Sequence, residues 1–243
     1  MPGELPQHNS GRAVRVAALA VFAFTLTRAS FAGESRAVVF EQDLARTPLS
    51  AEFLRQAEMA RSSVPEGIWE IVTRAGWRVR LAEFVVDAAP ELKDDHPRGW
   101  PPESTWNQTD AINLPRTRTL VLAEKRVRRN GQVVFSGRVE GVLRHELGHA
   151  FDMVCGGSYR YGSSTPGFLQ AYAQDVQSLE QSRRASMKYY LQSSKAGRQE
   201  TFAEAFAFVL GGGSDVTRQQ EFAESFPAVL EYLRKEISRY TGP

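Results

Sequence analysis

The first half of the chain alternates between stretches whose apolar residues recur at helical spacing and stretches with strand spacing. Helical spacing follows Pro48 over residues 48–60 and returns over 65–76, which predicts two helices. Apolar and charged residues then alternate over 77–81, and this change of period predicts a strand. A further short strand is predicted at 37–40. The N-terminal half is therefore expected to mix strands with helices.

The second half is predicted to be helical, after a loop and a hairpin. Residues 88–116 contain five prolines and two tryptophans, which predicts a long ordered loop. A strand at 119–124, a turn at Asn130-Gly131 and a returning strand at 132–135 form the predicted hairpin. The helices that follow are predicted over 137–154, 166–184, 198–210 and 226–239. This order predicts an α+β fold, with a small mixed sheet followed by a helical half.

The N-terminus has the pattern of a secretory signal. Two arginines precede an apolar run at 16–26, and small residues at the spacing of a signal-peptidase site end at Ala32. An uncleaved anchor is the alternative, but the run is short against the roughly 20 apolar residues of a membrane-spanning helix. We expect a cleaved signal at 1–32 and a single domain at 33–243. The mature protein would lie in the periplasm, on the cell surface or in the medium, without stable membrane insertion.

Charge and cysteine content narrow the possible functions. The formal net charge of +2 includes three arginines and one glutamate of the predicted signal, so the mature chain is neutral. Since the chain also has no long block of Lys and Arg, we expect no nucleic-acid partner. Cys155 is the only cysteine, which excludes an intramolecular disulfide. Stability outside the cell must then come from packing or from a bound metal.

One predicted helix carries a metal-binding pattern. Residues 141–150 read GVLRHELGHA, and the HExxH spacing places His145 above His149 on one side of the helix, where both can bind one ion. Glu146 projects to the same side and can reach a water at the metal, which is the geometry of a general base. The opposite side is apolar and predicts packing into the core. It carries Val139, Leu143, Leu147, Ala150 and Val154.

A catalytic zinc site normally has three protein ligands, so one more residue is required. The extended pattern HExxHxxGxxH is excluded, because Asp152 and Cys155 stand where it needs glycine and histidine. Glu200 and Glu204 share one face of a later predicted helix beside a hydrophobic stripe, and either carboxylate could complete the site. The alternative is that both are ordinary surface glutamates.

Together HELGHAFD and the later ETFAEAF resemble the catalytic domain of the lethal-factor-type metallopeptidases, a gluzincin group that includes the Pro-Pro endopeptidases. The resemblance covers about residues 98–240. It implies a zincin-like fold, one zinc ion, and hydrolysis of peptide bonds in an extended peptide or protein. It also implies that Glu200 is the third ligand beside His145 and His149, and that Glu204 supports the site.

The resemblance further implies a tyrosine, shortly before the third ligand, that binds the oxyanion of the tetrahedral intermediate. Tyr189 and Tyr190 precede Glu200 by eleven and ten residues, and we favour Tyr190. The alternative is a tyrosine with a structural role. By analogy with zincin folds, the strand containing Leu120 to Ala123 is expected to be the edge that pairs with substrate.

Two other polar residues each have a functional and a structural interpretation. Asp152 follows His149 by three residues and could accept an imidazole N–H, or it could be a plain surface aspartate. His96 lies in the proline-rich segment and could contact substrate or act as a surplus ligand, but we interpret it as a solvated loop histidine.

Two rival functions are a catalytically silent, secreted zinc-binding interaction module and a structural helical protein without metal. Glu146 argues against the first, because zinc ligation does not require it. Substrate preference and oligomeric state are left open by the sequence.

Overall fold

The computed structural model describes residues 40–42, 48–97, 100–214 and 217–240, so the predicted signal at 1–32 lies outside the described residues. The strands are β1 (Phe40–Gln42), β2 (Arg78–Ala82), β3 (Ala111–Leu114), β4 (Thr119–Ala123), β5 (Lys125–Val127) and β6 (Val133–Phe135). The helices are α1 (Ala51–Ser62), α2 (Glu66–Arg74), α3 (Val85–Ala88), α4 (Val139–Cys155), α5 (Pro166–Ser178), α6 (Gln181–Ser186), α7 (Lys195–Val209), α8 (Gln219–Ser225) and α9 (Pro227–Ser238). The α+β prediction of a small sheet followed by a helical half is confirmed.

A mixed sheet in the order β1-β2-β4-β3 forms one layer of the fold. β1, β2 and β4 are parallel, whereas β3 runs antiparallel to β4 at the end of the sheet. All five residues of β4 are buried, as expected for a strand between two neighbours and covered on both faces. The expectation that Leu120 to Ala123 form the substrate edge is therefore wrong. Among the described strands, β3 occupies the edge next to β4.

The predicted hairpin exists, but a different strand forms its first arm. β6 pairs with β5, not with β4, and the turn between them has Gly131 at φ 83°. β3 lies within the segment 88–116, where the sequence predicts only a loop. A strand of four residues is too short to show a clear alternation of apolar and polar residues in the sequence. Its pairing with β4 depends on the tertiary fold.

The N-terminal helices form where the sequence predicts them. The Ser50 hydroxyl accepts a hydrogen bond from the backbone N–H of Phe53 at 3.2 Å, which caps the start of α1. Phe53, Ala57 and Ala60 of α1 are buried in the main core. α2 adds its own buried face, which includes Ile68 and Trp69. Both helices thus present the predicted apolar stripe to the interior.

α4 and α7 pack against each other at the centre of the molecule. Leu147 and Phe151 of α4 are fully buried, and Phe206 of α7 packs against Phe151 with ring centroids 5.0 Å apart. Gly148 permits the close approach, because a Cβ at this position would lie 2.8 Å from Cα of Ala203. The two helices that carry the candidate ligands are therefore held together by a buried contact.

The C-terminal helices differ from prediction in two places. The predicted helix at 166–184 is broken at Leu179, whose backbone is extended and whose side chain is buried, so that α5 and α6 are separate. The short helix α8 was missed. Asp175 of α5 accepts hydrogen bonds from the backbone N–H groups of Ala228 and Val229, which satisfies the start of α9. None of the described helices combines the length and hydrophobicity needed to cross a bilayer.

Candidate metal centre and active site

Three side chains from α4 and α7 converge on one point. Oε2 of Glu200 lies 3.4 Å from Nε2 of His145 and 3.5 Å from Nε2 of His149. The three candidate ligand atoms all lie within 4.8 Å of one another. Zinc bonds of about 2.1 Å at tetrahedral angles place neighbouring ligand atoms about 3.4 Å apart. The spacing of these donors therefore fits one zinc ion, with two imidazoles and one carboxylate as its ligands.

A buried carboxylate orients the first of these histidines. Oε2 of Glu204 lies 2.7 Å from Nδ1 of His145, and it also accepts a hydrogen bond from the Ser214 hydroxyl at 2.8 Å. The Nδ1–H of His145 donates to this carboxylate, so Nε2 is the ring nitrogen that faces Glu200 and that can bind a metal after losing its proton. Glu204 therefore lies where the resemblance placed a supporting residue, and Ser214 is a partner that the sequence did not indicate.

The ligand set is electrostatically coupled. Burial alone would raise the pKa of Glu200, but His149 and His145 outweigh it and hold that pKa well below its usual range. Burial alone would lower the pKa of both histidines, but the Glu200 carboxylate outweighs it, with Glu204 adding to the effect at His145. Positive charge is thus favoured at this point of the fold, and a divalent cation can replace the imidazole protons.

Glu146 lies beside the ligands and also lines the cleft. Burial raises the pKa of its carboxyl, with the two histidines acting in the opposite direction. Its backbone carbonyl accepts a hydrogen bond from the side-chain amide of Asn113 at 3.1 Å, which ties α4 to β3. A carboxyl with a raised pKa next to a metal site is suited to accepting and returning a proton.

The two adjacent tyrosines point in different directions. The ring of Tyr190 is buried and packs against Phe222 and Phe226, with centroids 4.9 and 6.0 Å apart. Tyr189 is 40% exposed and lines the cleft. Although the residue as a whole is partly exposed, desolvation within the cleft, followed by the charge of Glu200, raises the pKa of the Tyr189 phenol, so its hydroxyl remains a proton donor. The structure therefore places Tyr189 in the wall of the cleft and the favoured Tyr190 in the core.

Asp152 is neither a surface residue nor a hydrogen-bond partner of His149. Its buried carboxylate accepts hydrogen bonds from the backbone N–H of Ser163 at 2.6 Å and from the Ser163 hydroxyl at 2.8 Å. Burial raises the pKa of Asp152 to about 6. Asp152 thus fastens the segment that follows α4. His96 is exposed, as expected for a solvated histidine.

The candidate site opens into a cleft of about 540 Å³. β3 forms part of its wall through Ala111, Ile112 and Asn113, and Trp100 and Trp106 come from the proline-rich segment. The volume of the cleft lies within the range of ligand-binding clefts, and His145, His149 and Glu200 are among its lining residues.

Sequence reasoning missed the other polar residues of this wall. Asp110 directly precedes β3, and its carboxylate contacts Arg126 and Arg138. Arg138 lies two helical turns before His145, and this spacing on the same side of the helix is the one signal that could have indicated it. The pairing of Asp110 with Arg126 depends on the fold and leaves no local pattern.

Comparisons with known proteins identify the family and the fold. The sequence model of the family described as anthrax toxin lethal factor, N- and C-terminal domain, matches residues 43–235. The solved structure of the Pro-Pro endopeptidase PPEP-2 from Paenibacillus alvei is similar, with a TM-score of 0.53 and 19% sequence identity, covering 78% of this chain and 93% of that chain. This likeness shows the fold. No curated protein matches the sequence. Because the family match spans most of the chain, the protein belongs to the lethal-factor family of metallopeptidases, as the sequence motifs predicted.

Proposed function

We propose that this protein is a secreted zinc metalloendopeptidase, in which His145, His149 and Glu200 hold one zinc ion and Glu146 is the general base. The observation that carries the proposal is the convergence of three ligand atoms within 4.8 Å of one another, with Glu146 beside them in an open cleft. The zinc ion supplies Lewis-acid activation of water and of the scissile carbonyl. Secretion rests on the signal pattern at 1–32, and we propose that 33–243 forms one domain.

The protein side chains have distinct roles in this mechanism. Glu146 accepts a proton from the attacking water and returns it to the leaving amine, which its raised pKa favours. Tyr189 donates a hydrogen bond to the oxyanion that forms on the carbonyl oxygen. Glu204 keeps His145 in the tautomer whose Nε2 can bind metal. We therefore assign to Tyr189 the oxyanion-binding role for which the sequence favoured Tyr190.

β3 supports the binding of an extended substrate. It is the terminal strand of the order β1-β2-β4-β3, and it lines the cleft beside Glu146. Backbone groups on its outer side can pair with a peptide, as in strand addition at a sheet edge. We propose β3 for the role that the sequence assigned to Leu120 to Ala123.

The proposal is tested by zinc content and peptide cleavage of the mature protein and two variants. We expect the wild type to bind one zinc and to cleave members of a mixed peptide library. Glu146→Gln should retain zinc and lose cleavage, whereas Glu200→Ala should lose zinc. Glu231→Gln, an exposed change on α9, is the control for altered charge. A wild type that holds zinc but cleaves nothing would favour the silent binding module, and a wild type without zinc would favour the structural protein.

A further inference from the structure

We propose that Arg126 and Arg138 form a subsite that binds a carboxylate of the substrate peptide, and this inference rests on the proposed peptidase function. Both arginines line the cleft that contains the ligand atoms. They belong to different elements, since Arg126 lies in β5 and Arg138 directly precedes α4. The fold thus brings two guanidinium groups to one wall of the cleft.

A buried carboxylate holds the two arginines in place. Oδ1 of Asp110 lies 3.1 Å from Nε of Arg126, and Oδ2 lies 2.6 Å from Nη2 of Arg138, while Asp110 itself is only 6% exposed. Nη1 of Arg138 also donates to the backbone carbonyl of Ser214 at 3.1 Å. Hydrogen bonds therefore fix Arg138, whereas Arg126 is held by an ion pair whose two atoms make no hydrogen bond. Side chains that are positioned before substrate arrives lose less entropy on binding.

The cluster keeps an excess of positive charge and free donors. Two guanidinium groups face one carboxylate, so one positive charge is uncompensated within Asp110, Arg126 and Arg138. The side chain of Arg126 is 33% exposed, and that of Arg138 is 40% exposed. Among the described residues, the terminal nitrogens of Arg126 have no hydrogen-bond partner. A guanidinium presents its N–H groups as a planar fork that matches a carboxylate.

The position of the cluster fits a peptide ligand. Asp110 directly precedes β3, and its carbonyl accepts a hydrogen bond from the N–H of Ala123 at 2.9 Å. The arginine pair therefore lies at the amino end of β3, where a peptide paired with this strand would pass. The carboxylate can come from an Asp or Glu side chain or from the C-terminus of a short peptide. Both sources share the same chemistry.

The test compares otherwise identical peptides in which a single Glu or Gln is moved through the positions around the cleaved bond, each with a free or an amidated C-terminus. We expect kcat/KM for at least one Glu peptide, or for the free C-terminus, to exceed that of its neutral partner by about ten- to a hundredfold. A preference for Glu that survives amidation identifies a side-chain carboxylate, and a preference abolished by amidation identifies the C-terminus.

Variants show whether the arginine pair causes the preference. In Arg126→Gln the ratio between the acidic and neutral peptides should fall towards one, and in Arg126→Glu a Lys peptide should become the better substrate. Arg129→Gln removes the same charge from an exposed position in the same hairpin and should keep the wild-type ratio. Thermal unfolding of each variant checks that the fold is retained. Equal kcat/KM for acidic and neutral peptides, or a preference that survives Arg126→Gln, overturns the subsite.

The subsite can be separated from the proposed activity. If the wild type cleaves no peptide, the peptidase proposal fails, and the subsite is then judged by binding of fluorescent Glu and Gln peptides to the zinc-loaded protein. Tighter binding of the Glu peptide that is lost in Arg126→Gln supports the arginine pair. Equal binding of the two peptides rejects it.

Discussion

Glu204 and His145 form a buried pair in which the carboxylate oxygen lies 2.7 Å from Nδ1 of the ring. Glu204 is one helical turn after Glu200 on α7, so a single helix supplies both a candidate ligand and the carboxylate that orients another. This arrangement couples the orientation of the His145 ring to the packing of α4 against α7.

Substitution of Glu204 by glutamine should weaken zinc binding by about ten- to a hundredfold, because the neutral amide orients His145 less strongly and makes the imidazole a weaker donor. The zinc dissociation constant, measured by competition with a chelator, checks this. Glu236→Gln is the matched control, since Glu236 is a buried acid on α9 that pairs with Arg239. Equal zinc affinity in the wild type and Glu204→Gln would contradict an orienting role.

Tyr189→Phe should reduce kcat by roughly a hundredfold, because it removes one donor to the oxyanion. Tyr190→Phe is the matched control, since its ring is in the core and a phenylalanine can keep the packing against Phe222 and Phe226. Steady-state kinetics on one cleaved peptide compare the two variants. A larger loss of kcat in Tyr190→Phe than in Tyr189→Phe would indicate that Tyr190 is the donor to the oxyanion.

Gly148→Ala should destabilise the protein by about 1 to 3 kcal/mol, because the new methyl group would overlap Ala203 and force α4 away from α7. The displacement would also move Glu200 relative to the two histidines, so weaker zinc binding is expected in addition. Gly137→Ala is the control, since nothing lies within 4 Å of its Cβ position. Urea unfolding of both variants measures the difference, and equal stability would show that the helices can separate without cost.

The sequence predicts what depends on local periodicity. The HExxH spacing, the apolar back of α4 and the two glutamates of α7 all follow from residues within a few turns of each other. Sequence-based prediction fails where contacts between distant parts of the chain determine the local structure. β3 becomes a strand through its pairing with β4, and no local pattern marks it.

The choice between adjacent tyrosines fails for a related reason. Tyr189 and Tyr190 lie in a turn between α6 and α7, where the chain has no constant period, and the contacts of Phe222 and Phe226 from other helices decide which ring is buried. Helical spacing correctly predicts that Asp152 lies on α4, but it does not predict which residue its side chain contacts. Its partner Ser163 belongs to the segment before α5, which the sequence did not bring near it.

Asp152 should make the stability of the metal-free protein depend on pH. Its pKa is raised from 3.8 to about 6 by burial, so the folded state binds a proton more tightly than the unfolded state. Its favourable contribution is therefore fully present below about pH 4 and is lost as the pH rises through about 6. The size of the shift corresponds to roughly 2 to 3 kcal/mol across this interval. Asp152→Asn keeps an acceptor for Ser163 but cannot titrate. Urea unfolding in the presence of a chelator measures the stability of both proteins. Between pH 4 and 7, the free energy of unfolding of the wild type should fall relative to that of Asp152→Asn. A constant difference over that range would show that Asp152 has the same pKa in the folded and unfolded states.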